Sequence, residues 1–121
     1  MLLLLPLEKE VIRKFLSDES TRPSRTEVNL DIVSVVSREM TGVGFFTELA
    51  RCEELHLFAD DVSMKAGRVG ARVGPARIDT GYLIYVDGGY ISTIEGYCYG
   101  EAWPEDLSVF EIYDIESSAM K

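Results

Sequence analysis

The sequence predicts an α+β domain, in which one N-terminal helix precedes a strongly bent antiparallel sheet of five or six strands or a small open barrel. Apolar residues recur every three or four positions only before residue 17, which is the period of an amphipathic helix. From Glu27 onward they alternate with polar residues, which is the period of a strand. The chain has 121 residues, 46% of them hydrophobic and 27% charged, so we expect a single globular domain over residues 1–121.

The helix is predicted within residues 1–17. Leu7, Val11 and Phe15 follow one another at helical spacing. Pro6 suits the first turn, because the N–H that proline lacks has no partner there. Residues 18–26 contain no aliphatic or aromatic side chain and include a proline, so they are predicted to form a polar connector.

The sheet is predicted over residues 27–116. The alternation that starts at Glu27 indicates a long first strand up to residue 37, and a glycine-rich bend separates it from a second strand over residues 45–49. The chain breaks at residues 103–106, and a last strand is predicted over residues 107–115.

The clearest local signal is a hairpin around Asp87-Gly88-Gly89. Glycine tolerates the positive φ angles of a tight turn, and apolar strands over residues 82–86 and 90–94 flank it. A two-residue turn would place Thr93 on the face of Tyr82 and Ile94 on the opposite face. Both faces would then be half apolar, which is typical of a central hairpin that is partly covered on each side.

Two resemblances accompany this pattern. The order of a helix and then a bent sheet resembles the Sm-like and SH3-like folds. Residues 41–47 (TGVGFFT) and 95–104 (EGYCYGEAWP) resemble small uncharacterised bacterial proteins, some of them similar to immunity proteins of toxin systems. That second resemblance implies a protein-binding role and carries over no catalytic residue.

Charge and aromatic side chains concentrate toward the C-terminus. The chain holds 21 acidic and 12 basic residues, a net charge of −9, which argues against broad binding to nucleic acid or to anionic membranes. Residues 83–121 carry eight acids and one base, and all six tyrosines and the single tryptophan lie between residues 82 and 113. Tyrosine and tryptophan often anchor interfaces. We therefore predict an acidic, aromatic surface that binds a basic protein; its candidate residues are Tyr97, Tyr99, Glu101, Trp103, Glu105 and Asp106. The alternative interpretation is a solvated acidic face over a tyrosine-rich core.

One basic stretch supports a second hypothesis. Lys65, Arg68 and Arg72 surround the glycine-rich residues 67–74, which are predicted to form an edge strand or an ordered loop that could cradle an anion. No phosphate-loop motif accompanies them. This hypothesis is an Sm-like, RNA-associated or oligomeric module that uses the segment from Lys65 to Arg77 and associates through its sheet edges. The simpler interpretation is a solvated basic loop.

The only histidine, His56, raises a third hypothesis, a small hydrolase or metal enzyme. If residues 51–58 form a strand, Cys52, Glu54 and His56 share one face, and all three are possible zinc ligands. Such a set would span about 13 Å along a strand, which is too far for one ion. No GxSxG motif occurs either. The sequence therefore favours a non-enzymatic protein without metal or cofactor.

The N-terminal leucines and the two cysteines bear on location. The run Leu2–Leu5 has no basic residues before it and is shorter than a signal peptide, and no apolar run reaches the ~20 residues that span a bilayer. Cys52 and Cys98 are far apart, and two buried thiols in a reducing compartment are expected. The sequence thus predicts a cytoplasmic protein.

Overall fold

One helix and seven strands make up the described residues, which are 2–18, 20–100 and 102–115 of a computed structural model. The elements are β1 (Leu2–Leu3), α1 (Pro6–Ser17), β2 (Ser34–Met40), β3 (Gly44–Leu49), β4 (Met64–Val73), β5 (Ile78–Asp87), β6 (Tyr90–Cys98) and β7 (Phe110–Asp114). The α+β class is confirmed. Seven strands replace the predicted five or six, partly because β1 is too short to show an alternating pattern.

All neighbouring strands of the single sheet are antiparallel, in the order β1-β2-β3-β6-β5-β4-β7. The outermost strands, β1 and β7, do not pair with each other, so the sheet is open. Residues 67–73 form a strand, as one of the two predicted alternatives has it, but not an edge strand. They belong to β4, and Val69–Val73 pair with both β5 and β7.

Two predicted strands are shorter or absent. The first strand begins at Ser34, because Leu30–Ile32 form a 3₁₀ turn whose preceding residue, Asn29, accepts a hydrogen bond from the Asp31 N–H (3.2 Å). The segment 51–58 is no strand either: it contains a 3₁₀ turn at Glu53–Leu55, and only His56 forms an isolated bridge, to Tyr90.

Helix α1 packs against β4, β5 and β7 and defines the inner face of the sheet. Its apolar stripe is buried, as the sequence predicts, and Phe15 contacts Phe58 with ring centroids 6.1 Å apart. The opposite side of the sheet is the outer face. No described helix covers the outer face. Within the described residues, helix length and apolarity fall short of what crossing a bilayer requires.

A buried carboxylate attaches α1 to the sheet. Glu8 is 1% exposed, and its side chain accepts hydrogen bonds from the Leu5 N–H (2.8 Å) and the Thr47 hydroxyl (2.6 Å). Arg38 donates to both Glu8 oxygens, over 2.6 and 3.1 Å. The network joins the start of the helix to β2 and β3.

Bulges in three strands change which side chains share a face. One extra residue interrupts β2 between Val35 and Ser37, one interrupts β4 between Ala66 and Val69, and one interrupts β6 at Ser92. Because of the last bulge, Ile94 pairs with Ile84 on the inner face and is buried there, and Thr93 moves to the outer face. The predicted faces of Thr93 and Ile94 were therefore wrong.

The cysteines are not joined in a disulfide. Both are half-buried, not buried as expected, and the Cys98 thiol donates to the Val43 carbonyl over 3.2 Å.

The turn between β5 and β6 gives the first testable prediction. Gly88 and Gly89 adopt φ angles of 57° and 86°, and a Cβ on Gly89 would lie 2.5 Å from the Phe58 carbonyl oxygen. Gly89→Ala is therefore expected to lower the free energy of unfolding by about 2 kcal/mol, through left-handed strain and crowding against backbone. Urea denaturation measures it. Gly88→Asn is the control: Asn tolerates this φ, the nearest atom is 3.6 Å away, and equal losses for both variants would contradict the prediction.

Candidate protein-binding face

An exposed phenylalanine lies between two carboxylates on the outer face. Glu39 of β2, Phe46 of β3 and Glu95 of β6 oppose one another in one cross-strand row. The Phe46 side chain is 36% exposed. Within the described part of the chain, no Lys or Arg pairs with Glu39 or Glu95, although Glu95 accepts a hydrogen bond from the Tyr85 hydroxyl (2.7 Å). This bond raises the pKa of Tyr85.

The next row adds a third carboxylate. Glu48 of β3 is exposed and lies opposite Ser37 on one side and Thr93 on the other. It has no basic partner among the described residues either. Glu39, Glu48 and Glu95 thus form the acidic patch, which has an apolar ring within it.

The basic residues at the other end of the outer face are already neutralised. Arg72 lies 3.6 Å from Asp79 and 3.4 Å from Glu111, and Arg77 lies 2.7 Å from Glu111. Hydrogen bonding to Arg77 lowers the pKa of Glu111. Two cations therefore face two carboxylates at β4, β5 and β7, whereas the three carboxylates of the acidic patch have no described Lys or Arg partner.

In a third cross-strand row, two tyrosine rings pack on the two glycines of the neighbouring strands. Tyr97, Gly81, Gly70 and Tyr113 oppose one another across β6, β5, β4 and β7. A Cβ on Gly81 would lie 2.6 Å from the Tyr97 ring, and one on Gly70 would lie 2.6 Å from the Tyr113 ring. Each ring therefore lies directly on the neighbouring strand, which only glycine permits.

Tyr99 completes this aromatic region. Its ring is edge-on to that of Tyr97, with centroids 5.6 Å apart and planes at 88°. Tyr99 is 56% exposed, yet burial of its packed side, together with Tyr97, raises its pKa to about 12. Burial and the Asp79 carboxylate, which accepts from the Tyr113 hydroxyl over 3.2 Å, raise the pKa of Tyr113. Tyr99 and Tyr113 are therefore uncharged at neutral pH, and all three tyrosines offer apolar rings with polar edges.

The structure brings only some of the predicted interface residues together. Tyr97 and Tyr99 are neighbours on the outer face, while Glu101 lies outside the described residues. Glu105 and Asp106 are exposed on the segment that follows β6, and Asp106 accepts hydrogen bonds from the Ser108 hydroxyl (2.5 Å) and N–H (3.0 Å), which lower its pKa. That segment lies against the turn between β4 and β5, where the Gly74 N–H donates to the Val109 carbonyl over 2.7 Å.

Trp103 requires a correction. It is 8% exposed and contacts Phe45 and Tyr82 on the inner face, with ring centroids 5.1 and 6.2 Å away. It therefore lies on the opposite side of the sheet from Tyr97, and its position fits a core residue and not an interface anchor. Its indole N–H has no hydrogen-bond partner among the described residues.

The predicted anion-binding residues are distributed along β4. Lys65 lies over the Tyr85 ring (5.6 Å to the centroid), and Arg72 is paired as described above. Arg68 also belongs to β4, and its side chain is outside the described part of the structure. Lys65 and Arg72 therefore do not form an open cradle of free cations.

His56 lies in a separate surface cluster. Its Nε2 is 2.7 Å from the Asp60 carboxylate, its Nδ1 is 3.9 Å from Glu53, and its ring is stacked on Tyr90 (4.4 Å between centroids). Because Glu53–Leu55 form a 3₁₀ turn, residues 51–58 are not a strand, and the condition under which Cys52, Glu54 and His56 would share one face is not met. Within residues 2–18, 20–100 and 102–115, no group of three or more His, Cys, Asp or Glu side chains could hold a metal ion.

The acidic patch was missed by the sequence analysis. The signal was present in β3, where Phe46 and Glu48 alternate with buried Phe45, Thr47 and Leu49. A local pattern cannot show that β6 pairs with β3, so it could not reveal that Glu95 joins Glu39 and Glu48 on one face. Comparison of the chain with family models, with curated proteins and with solved structures found no match.

Proposed function

We propose that this protein is a non-enzymatic binding module that docks a basic protein on its outer face, in the manner of an immunity protein that neutralises a basic toxin. The observation that carries the proposal is the exposed Phe46 ring between two carboxylates that no described Lys or Arg neutralises. An apolar ring surrounded by charge of one sign suits a partner of opposite charge with an apolar centre.

Electrostatics favours this partner over a nucleic acid. The chain has a net charge of −9, and Arg72 and Arg77 are occupied by Asp79 and Glu111. A phosphate backbone would therefore meet the uncompensated carboxylates of the acidic patch. A basic protein would instead be attracted to them, and opposite fields speed association.

Repulsion between the carboxylates of the acidic patch also supports the proposal. Glu39 and Glu48 are separated by one residue pair on neighbouring strands, where like charges repel each other in the free protein. Binding of a cationic surface would relieve this repulsion. The repulsion within the acidic patch therefore raises the free energy of the free protein relative to the bound state, which favours binding of a cationic partner.

The test uses paired charge variants. Glu39→Gln with Glu48→Gln removes two carboxylates from the acidic patch, and Glu27→Gln with Asp61→Asn removes two exposed carboxylates elsewhere. Tagged wild type and both variants are used to capture proteins from the native host, and captured proteins are then measured by surface plasmon resonance at several salt concentrations. We expect a basic protein whose association slows about tenfold or more in the acidic-patch variant and with salt, and changes little in the control.

Two results would contradict the proposal. One is a captured partner that both double variants bind as the wild type does. The other is a partner set no more basic than the host proteome. In either case the acidic patch is a solvated surface without a binding role.

A further inference from the structure

Cations of this chain rest repeatedly on its own tyrosine rings. The Arg51 guanidinium lies 4.1 Å from the centroid of Tyr90, and that of Arg72 lies 4.9 Å from the centroid of Tyr113. Lys65 lies 5.6 Å from the centroid of Tyr85. The guanidinium groups approach more closely than the ammonium group, as expected for a flat cation that stacks on a ring.

The Tyr97–Tyr99 pair has no such cation among the described side chains. The Tyr97 ring rests with one side on Gly81, and Tyr99 stands edge-on beside it and is 56% exposed. Of the side chains that the structure describes, no Lys or Arg lies over either ring. The two rings pack edge-on at right angles, and this pair is the Tyr97–Tyr99 corner; aromatic cages that hold organic cations also combine rings that stand at an angle to one another.

A carboxylate lies in the same region. Asp79 is two residues before Gly81 on β5; it accepts from the Tyr113 hydroxyl and is among the groups that raise the pKa of Tyr99. Arg72, 3.6 Å from Asp79, shows how a guanidinium is held here, by a ring and a carboxylate together. No described cation lies over the rings of the Tyr97–Tyr99 corner, and a guanidinium bound there would share the Asp79 carboxylate with Arg72 and the Tyr113 hydroxyl.

We propose that the Tyr97–Tyr99 corner binds an arginine side chain of the basic partner. This assignment rests on the proposed function and specifies one contact of the interface, between an arginine of the partner and the two tyrosine rings. Arginine suits the corner better than lysine because its planar guanidinium stacks on one ring and still donates hydrogen bonds to a carboxylate. The acidic patch would then attract the partner, and the corner would select an exposed arginine on it.

The experiment is a titration followed by NMR, with the tyrosine rings of the full chain labelled with ¹³C. The probe is N-acetyl-arginine amide; N-acetyl-citrulline amide is its neutral isostere, and tetramethylammonium represents a free quaternary cation. We expect the arginine probe to shift the Tyr97 and Tyr99 resonances, and the citrulline probe to shift neither. Tyr99→Leu should weaken arginine binding about two- to fivefold, and Tyr99→Phe, which keeps the ring, should retain it.

Three results would overturn the assignment. They are equal shifts with citrulline, unchanged arginine binding in Tyr99→Leu, or tighter binding of tetramethylammonium than of the arginine probe. Failure of the proposed function is seen separately, because Glu39→Gln with Glu48→Gln leaves the corner intact. If that variant retains the partner while the corner still binds the arginine probe, the docking proposal fails and the corner assignment stands.

Discussion

Replacing Glu8 with Gln is expected to lower the free energy of unfolding by about 3 kcal/mol. The Glu8 carboxylate is 1% exposed and receives four hydrogen bonds, two of them from Arg38. Gln keeps the size of the side chain but removes its charge, so the Arg38 guanidinium, whose side chain is only 20% exposed, loses its counter-charge. One amide oxygen also cannot accept all four bonds, so donors are left unsatisfied in a largely dry site.

The same helix provides the control for this prediction. Glu10 forms an ion pair with Arg13, and both side chains are about half exposed (44% and 50%). Glu10→Gln should change stability by about 0.5 kcal/mol or less, because water screens such a pair. Urea denaturation of both variants gives the comparison. If Glu8→Gln is as mild as Glu10→Gln, the buried network does not hold the helix to the sheet.

Replacing Phe15 with Ala is expected to lower the free energy of unfolding by about 3–5 kcal/mol. Phe15 is 2% exposed on the inner side of α1 and packs against Phe58. Removal of its ring loses apolar burial and leaves a cavity between the helix and the sheet that rigid neighbours only partly fill. The decrease in the free energy of unfolding measures how much the packing of α1 on the sheet contributes to stability.

Phe46→Ala is the matched control, because it is the same substitution on the outer face. Phe46 is 36% exposed, so its truncation should cost about 1 kcal/mol or less of folding free energy. It should nevertheless weaken binding of the proposed basic partner, since the ring lies within the acidic patch. Equal destabilisation by both variants, in thermal and urea unfolding, would show that the outer face is not open as described.

Local patterns of the sequence determined the principal elements. The spacing of Leu7, Val11 and Phe15 set the helix, and the glycines at 88 and 89 set the hairpin, because helix period and positive φ are properties of a few consecutive residues. Burial of Val69, Ala71 and Val73 on one side of β4 follows from the same kind of alternation. Charge composition, also a property of the sequence alone, suggested a basic partner.

Pairing between distant strands could not be determined in this way. The bulge at Ser92 places Ile94 on the face opposite to the one predicted. No local feature of the sequence shows where a strand contains an extra residue. Trp103 occurs among acidic and aromatic residues in the sequence, yet its ring turns to Phe45 and Tyr82, because removing a large apolar surface from water outweighs its local surroundings.

The candidate site shows the same division. The sequence by itself made Tyr97 and Tyr99 candidates, since aromatic residues in an acidic stretch are visible without a fold. Only the tertiary structure joined Glu39, Phe46 and Glu95 in one row, because three strands from separate parts of the chain meet there. Composition is carried by the chain in any conformation, whereas a surface exists only after hydrogen-bond register has fixed which side chains are neighbours.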